Sequence, residues 1–152
     1  MKRMIKFYDT CSLILNARHL FDNDDKFIIS SITLEELENI KTSNTKDLDN
    51  KVAVRQLLHE LDNHIGDYEV CVFKEDMLNP IHEENLPINN DMKILATAIN
   101  YNNIYPNELI FITNDLALKT IARLFFDDEK IESIQEEKDE YKGYLIKQFM
   151  TE

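Results

Sequence analysis

Asp9, Glu36, Asp91 and Asp115 are four acidic side chains at equivalent junctions of this sequence. "KFYDTCSLI" (Lys6 to Ile14) runs as an apolar strand into Asp9 and passes at once into a polar turn. "LIFITNDLALKT" (Leu109 to Thr120) repeats the arrangement around Asp115. Glu36 lies in the first turn of the helix after the second strand, and Asp91 begins the helix after a long polar loop. A carboxylate at the mouth of a buried strand is costly unless something compensates it. Four such charges within a few ångströms repel by about several kcal/mol at intermediate effective dielectric. Divalent cations remove that repulsion, and oxygen-only ligands suit Mg²⁺ or Mn²⁺. The chemistry expected of such a centre is hydrolysis of a phosphate ester by metal-bound water.

Each acid also has a purely structural reading. Every one stands near a helix N-terminus, where the dipole favours negative charge. Asp91 and Asp115 fit as helix caps. Asp9 fits as the cap of a helix starting at Cys11. Glu36 fits as the partner of Thr33 in a capping box.

The elements that must position these residues follow from the apolar pattern. Strands are expected at Met4–Tyr8, Lys26–Ile32, Tyr68–Phe73 and Leu109–Thr113, with "KIESI" (Lys130 to Ile134) as a fifth, edge strand. Helices are expected over Ser12–Leu20, from Thr33, over Leu48–Ile65, over Asp91–Tyr101 and from Asp115. In the third of these, Val54, Leu57, Leu58, Leu61 and Ile65 share one face, and Gly66 is the stop. Lys74 to Asn90 reads as a loop, and "YLIKQFM" (Tyr144 to Met150) as a strand or a short helix. Strands alternating with helices predict one three-layer α/β domain, with a mostly parallel sheet of about five strands and helices on both faces. Functional groups in such a fold gather beyond the carboxyl ends of the strands, where Asp9 and Asp115 both belong.

Composition narrows the classes. The 152 residues, 43% hydrophobic, suit one domain with a sizeable core. With only 2 Gly and 3 Pro there is no Gly-rich phosphate loop and no GxGxxG. The 2 cysteines, Cys11 and Cys71, give neither a disulfide framework nor a CxxC metal pattern, and read as reduced, partly buried thiols of a cytoplasmic protein. "MKRMIKFYDT" lacks the apolar run of a secretory signal, and no stretch is long enough to span a membrane. A net charge of -12 runs against a polyanionic partner unless the acids gather where cations sit. Much of the acidity lies in "FFDDEKIESIQEEKDE" (Phe125 to Glu140), a run that reads as solvated surface. Lys41, Lys46, Lys51 and Arg55, with Lys93, Lys119 and Arg123, either line a groove for a single strand or coat solvated helix faces. Among the aromatic residues, Tyr101 and Tyr105 are the ones in a polar stretch suited to stacking on bases.

Other chemistries fit less well. His59 and His64 are five apart, out of step with an i, i+4 metal pair, and have no Cys partner at zinc spacing. No elbow supports Ser-His-Asp catalysis. A haloacid-dehalogenase-like phosphatase needs a second Asp two residues after the first, where Cys11 stands, and a receiver domain needs an acidic pair that the first strand does not supply.

"FYDTCSLI", "ITLEELENIK", "NNDMKILATAI" and "FITNDLALKT" resemble, in order, the four acidic motifs of PIN-domain nucleases. The resemblance runs from about Lys6 to about Phe125, and "TLEELENIK", "ITNDLALKTIA" and the later "DEYKGY" resemble the PIN domain found with PhoH-like ATPases. It implies a Mg²⁺- or Mn²⁺-dependent endoribonuclease acting on single-stranded RNA, with Asp9, Glu36, Asp91 and Asp115 as catalytic metal ligands. Glu36 rather than Glu35 takes the second place because it directly precedes Leu37. Thr10 and Asn114 match supporting polar positions. A toxin-like role, with an inhibitory protein covering the site, is compatible with this reading, as is a homodimer. The non-enzymatic alternative is a catalytically silent PIN-like scaffold that binds a protein or nucleic-acid partner.

Overall fold

The computed structural model describes residues 4–43 and 48–135. The expectations for Lys46, "DEYKGY" and "YLIKQFM", and for the acidic run beyond Gln135, lie outside the described residues. The chain runs β1 (Ile5–Tyr8), α1 (Thr10–Leu15), β2 (Phe27–Ser30), α2 (Ser31–Thr42), α3 (Leu48–Asn63), β3 (Tyr68–Cys71), α4 (Asn79–Glu83), α5 (Asn90–Ile104), β4 (Leu109–Ile112), α6 (Leu116–Ala122) and β5 (Ile131–Glu132). The strands form one five-stranded sheet in the order β3-β2-β1-β4-β5, and all four pairings are parallel.

Alternation along the strands divides the core. Phe7, Ile28 and Phe111 face one side, where they meet Ile81 of α4, Ile94, Leu95 and Ala98 of α5, and Leu118 and Ala122 of α6. Tyr8, Ile29 and Ile112 face the other, against Leu13 of α1, Leu37 of α2, and Val54, Leu57 and Leu61 of α3. This is the expected helix–sheet–helix sandwich. A sheet buried on both faces explains why the strands read as continuous apolar runs.

Several local expectations need correction. The helix after β1 stops at Leu15 and gives way to a 3-10 turn at Ala17–His19, because Asp9 caps it early and Asn16 closes it. The Thr33–Glu36 capping box is absent. Ser30, the last residue of β2, caps α2 by accepting the Ile32 amide, so the strand ends two residues before Ile32. The polar stretch Lys74–Asn90 is not simply a loop. It holds a 3-10 turn (Glu75–Leu78) and α4, which bury Leu78 and Ile81. Ile65 lies beyond the end of α3 and is 77% exposed, since its neighbour Gly66 adopts φ +98° and turns the chain away. Tyr101 is buried, with Tyr105 packed against it at 4.9 Å between ring centroids, so only Tyr105 of this pair presents a substantial surface.

A candidate metal centre of four carboxylates

The register of the central strands sets the site. Tyr8 pairs with Ile112, so the next residues, Asp9 and Thr113, leave the sheet side by side, and the Asp9 amide donates to the Ile112 carbonyl at 3.1 Å. Asp9, Glu36, Asp91 and Asp115 then line one cleft, together with Thr10, Cys11, Ile14 and Ile40. No Lys, Arg or His is among those lining residues. Four of the basic side chains are engaged elsewhere. Lys41 pairs with Glu38 at 3.1 Å, Arg123 with Asp128 at 2.9 Å, Lys119 donates to Ser133 at 3.0 Å, and Lys93 lies over the Phe73 ring.

The structural duties of the four acids differ. Asp9 is 4% exposed; its Oδ1 accepts the Ser12 amide at 2.8 Å and its Oδ2 accepts the Thr113 hydroxyl at 2.6 Å. Asp115 caps α6 through Oδ1, which takes the amides of Ala117 and Leu118. Two of the three expected aspartate caps are therefore real, and each of these carboxylates retains lone pairs beyond them. Asp91 is no cap, because Asn89 takes that place and accepts the Met92 amide at 2.9 Å. Glu36, one turn inside α2, accepts the Thr10 hydroxyl on Oε1 at 2.7 Å.

Electrostatics tie the four together. Burial, then the charges of Glu36, Asp115 and Asp9, push Asp91 up to about 6. Burial raises Asp9, offset in part by hydrogen bonds from Thr113 and Ser12, and the Asp115 charge adds to the rise. Burial raises Glu36 against the opposing hydrogen bonds of Thr10 and Asn90. Burial and then all four carboxylates push the Cys11 thiol up to about 12, although the residue as a whole is exposed. Such a thiol is protonated at neutral pH and is a poor nucleophile.

Among the described residues no group of three or more His, Cys, Asp or Glu side chains stands close enough together to hold a metal ion. The four carboxylates line the cleft without forming such a group, and a cation is the counter-charge that would relieve the repulsion among them. The donor set fits that role: it is oxygen-only and anionic, as suits a hard divalent ion.

Sequence reasoning missed Thr113 and Asn90, both beside the site. The signal for Thr113 was its place directly after β4, in register with Asp9. Asn114, expected to support the centre, is not among the cleft residues. Its amide donates to the Ile134 carbonyl at 2.9 Å and accepts the Ile134 amide at 2.8 Å, which ties the segment after β5 to the end of β4.

Comparison with curated proteins gives no match. A similar solved structure is that of VapBC2 from Rickettsia felis bound to a DNA fragment from their promoter, at 21% identity and a TM-score of 0.48, covering 86% of this chain and 98% of that one. Residues 7–125 match the PIN domain, a family whose members are generally metal-dependent nucleases. That span runs from within β1 through α6 and holds all four acids of the cleft, so this chain belongs to the PIN domain family.

Proposed function

We propose that this PIN domain is an endoribonuclease that hydrolyses phosphodiester bonds of single-stranded RNA with Mg²⁺ or Mn²⁺. Asp9, Glu36, Asp91 and Asp115 would hold the cation. One observation supports this most: four carboxylates from separate segments line one cleft that, among the described residues, no basic residue lines. A divalent ion bound there supplies Lewis acidity toward a phosphate oxygen and toward an attacking water.

The chain's own residues provide order and charge. Asp9 is fixed at both oxygens, so its carboxylate sits at the sheet's edge with little freedom. Asp115 is anchored at one oxygen by two amides. Thr10 fixes Glu36 through Oε1. Asp91, the one that neither caps a helix nor shares those anchors, retains its proton most readily in the metal-free cleft and gives it up when a cation enters. The negative cleft repels an RNA phosphate unless cations are present, so substrate binding and metal loading are linked.

The test is a cleavage assay on a labelled single-stranded RNA with Mn²⁺, run on wild type, Asp9→Asn and Asp115→Asn. Cutting by wild type and loss in both variants supports the reading. Equal cutting by all three assigns the activity to a contaminant or to another site. A silent scaffold would bind a partner without cutting and tolerate Asp115→Asn.

A further inference from the structure

Thr33 is fully buried in the first turn of α2, three residues before Glu36. Residues three apart on a helix share a face. Its Oγ1 lies 3.1 Å from Thr10 Oγ1, and Thr10 Oγ1 lies 2.7 Å from Glu36 Oε1. A hydroxyl carries one hydrogen and two lone pairs. The shorter contact is to a carboxylate, the stronger acceptor, so Thr10 gives its hydrogen to Glu36. The Thr10 hydroxyl also faces Thr33 Oγ1 as a donor, the longer of its two contacts, so Thr33 and Glu36 together fix where Thr10 stands. The three side chains form one network in which Thr10 bridges Thr33 and Glu36.

Other helical threonines behave differently. Thr42, Thr97 and Thr120 each donate to the backbone carbonyl one turn earlier. Thr33 instead bonds across to α1. Apolar packing alone would be served as well by valine, which has the same shape, and a buried hydroxyl without a partner costs stability.

Resting on the proposed metal-dependent function, we infer that Thr33 is a positioning residue: acting through Thr10, it fixes the Glu36 carboxylate in the geometry that a divalent cation requires. Three of the four acids are set by two hydroxyl systems, Thr113 on the Asp9–Asp115 side and Thr33–Thr10 on the Glu36 side. Groups that orient a metal ligand without touching the metal typically change affinity by about 10–100-fold when removed.

The experiment measures Mn²⁺ affinity by titration calorimetry for wild type, Thr33→Val, Thr33→Ser, Thr10→Val and the Thr10→Val/Thr33→Val double variant. It also records the Glu36 side-chain carboxyl ¹³C resonance of each metal-free protein at fixed pH. Thr33→Val is expected to weaken Mn²⁺ about tenfold and to shift the Glu36 resonance. Thr33→Ser restores both, and Thr33→Val adds nothing once Thr10 is valine. Three results overturn the inference: wild-type affinity and resonance in Thr33→Val, equal losses in Thr33→Ser and Thr33→Val, or an undiminished effect of Thr33→Val in the Thr10→Val background. Should Thr33→Val not fold, Thr33→Ala takes its place in the same comparisons. Absence of Mn²⁺ binding by wild type would contradict the metal reading, while the Glu36 resonance still decides whether Thr33 acts on that carboxylate.

Discussion

Thr113 joins two of the four acids: its hydroxyl donates to Asp9 Oδ2 at 2.6 Å and accepts the backbone amide of Asp115 at 3.1 Å. One fully buried side chain thus sets a carboxylate of β1 against the residue that caps α6. Thr113→Val leaves a buried carboxylate oxygen without its donor, which costs about 1.5–3 kcal/mol for a hydrogen bond to a charged group. Urea unfolding is expected to show that loss, and Thr113→Ser to recover most of it. A Thr113→Val protein as stable as wild type would mean that water replaces the hydroxyl at no cost.

The raised carboxyls give the metal-free protein a defined pH response. In the folded state Asp91 titrates at about 6, and Asp9 and Glu36 are also raised by burial. Unfolded Asp and Glu titrate near pH 4. Between about pH 4 and pH 6 the folded state therefore binds more protons than the unfolded one, and stability falls as pH rises through that window. Chelator-treated protein followed by thermal unfolding from pH 4 to pH 7 is expected to lose stability toward the neutral end. A midpoint that climbs over the same range contradicts the raised carboxyls.

Asp91→Asn removes one of the mutually repelling charges without removing a helix cap. Metal-free Asp91→Asn is expected to be more stable than wild type at pH 7, by about 1 kcal/mol or less once solvent screening is allowed for. Saturating Mn²⁺ stabilises wild type by about 2.7 kcal/mol at a hundred times its Kd and is expected to give the variant far less. Thermal melts with and without Mn²⁺ separate these outcomes. A variant that is less stable without metal and equally stabilised by it would remove Asp91 from the centre.

Cation entry should also release protons. At pH 6, where Asp91 is about half protonated, Mn²⁺ binding is expected to release a substantial fraction of a proton, falling toward zero by pH 8. Calorimetry in buffers of different ionisation enthalpy measures that number directly. Proton release that does not depend on pH between 6 and 8 would contradict the assignment.

The architecture was legible because it rests on burial. Phe7, Ile28 and Phe111 stand at the centre of a sheet covered on both faces, so their segments could only read as strands. The four acids were legible because each stands at a break in an apolar pattern. What could not be read were partnerships across sequence. Ser30 and Thr33 are three residues apart and both hydroxylic, and nothing local says that Ser30 caps α2 while Thr33 reaches Thr10. Leu78 and Ile81 looked like members of a polar loop, because two buried side chains in a short turn leave no periodic trace. Ile65 continued the face of α3 in sequence and lost it to the turn at Gly66. Ile65→Ser is accordingly expected to change stability by less than about 0.5 kcal/mol, whereas Leu61→Ala is expected to cost about 2–5 kcal/mol.

The most direct measurement is Mn²⁺ binding, read by electron paramagnetic resonance, in wild type and in four separate variants: Asp9→Asn, Glu36→Gln, Asp91→Asn and Asp115→Asn. If one ion is shared among side chains so distant in sequence, wild type takes up Mn²⁺ and each single change weakens that uptake at least about tenfold, the lower end of what disturbing a metal site's surroundings does. Uptake left at the wild-type level by all four changes, or by any of them in a folded protein, would show that those acids do not hold a common cation.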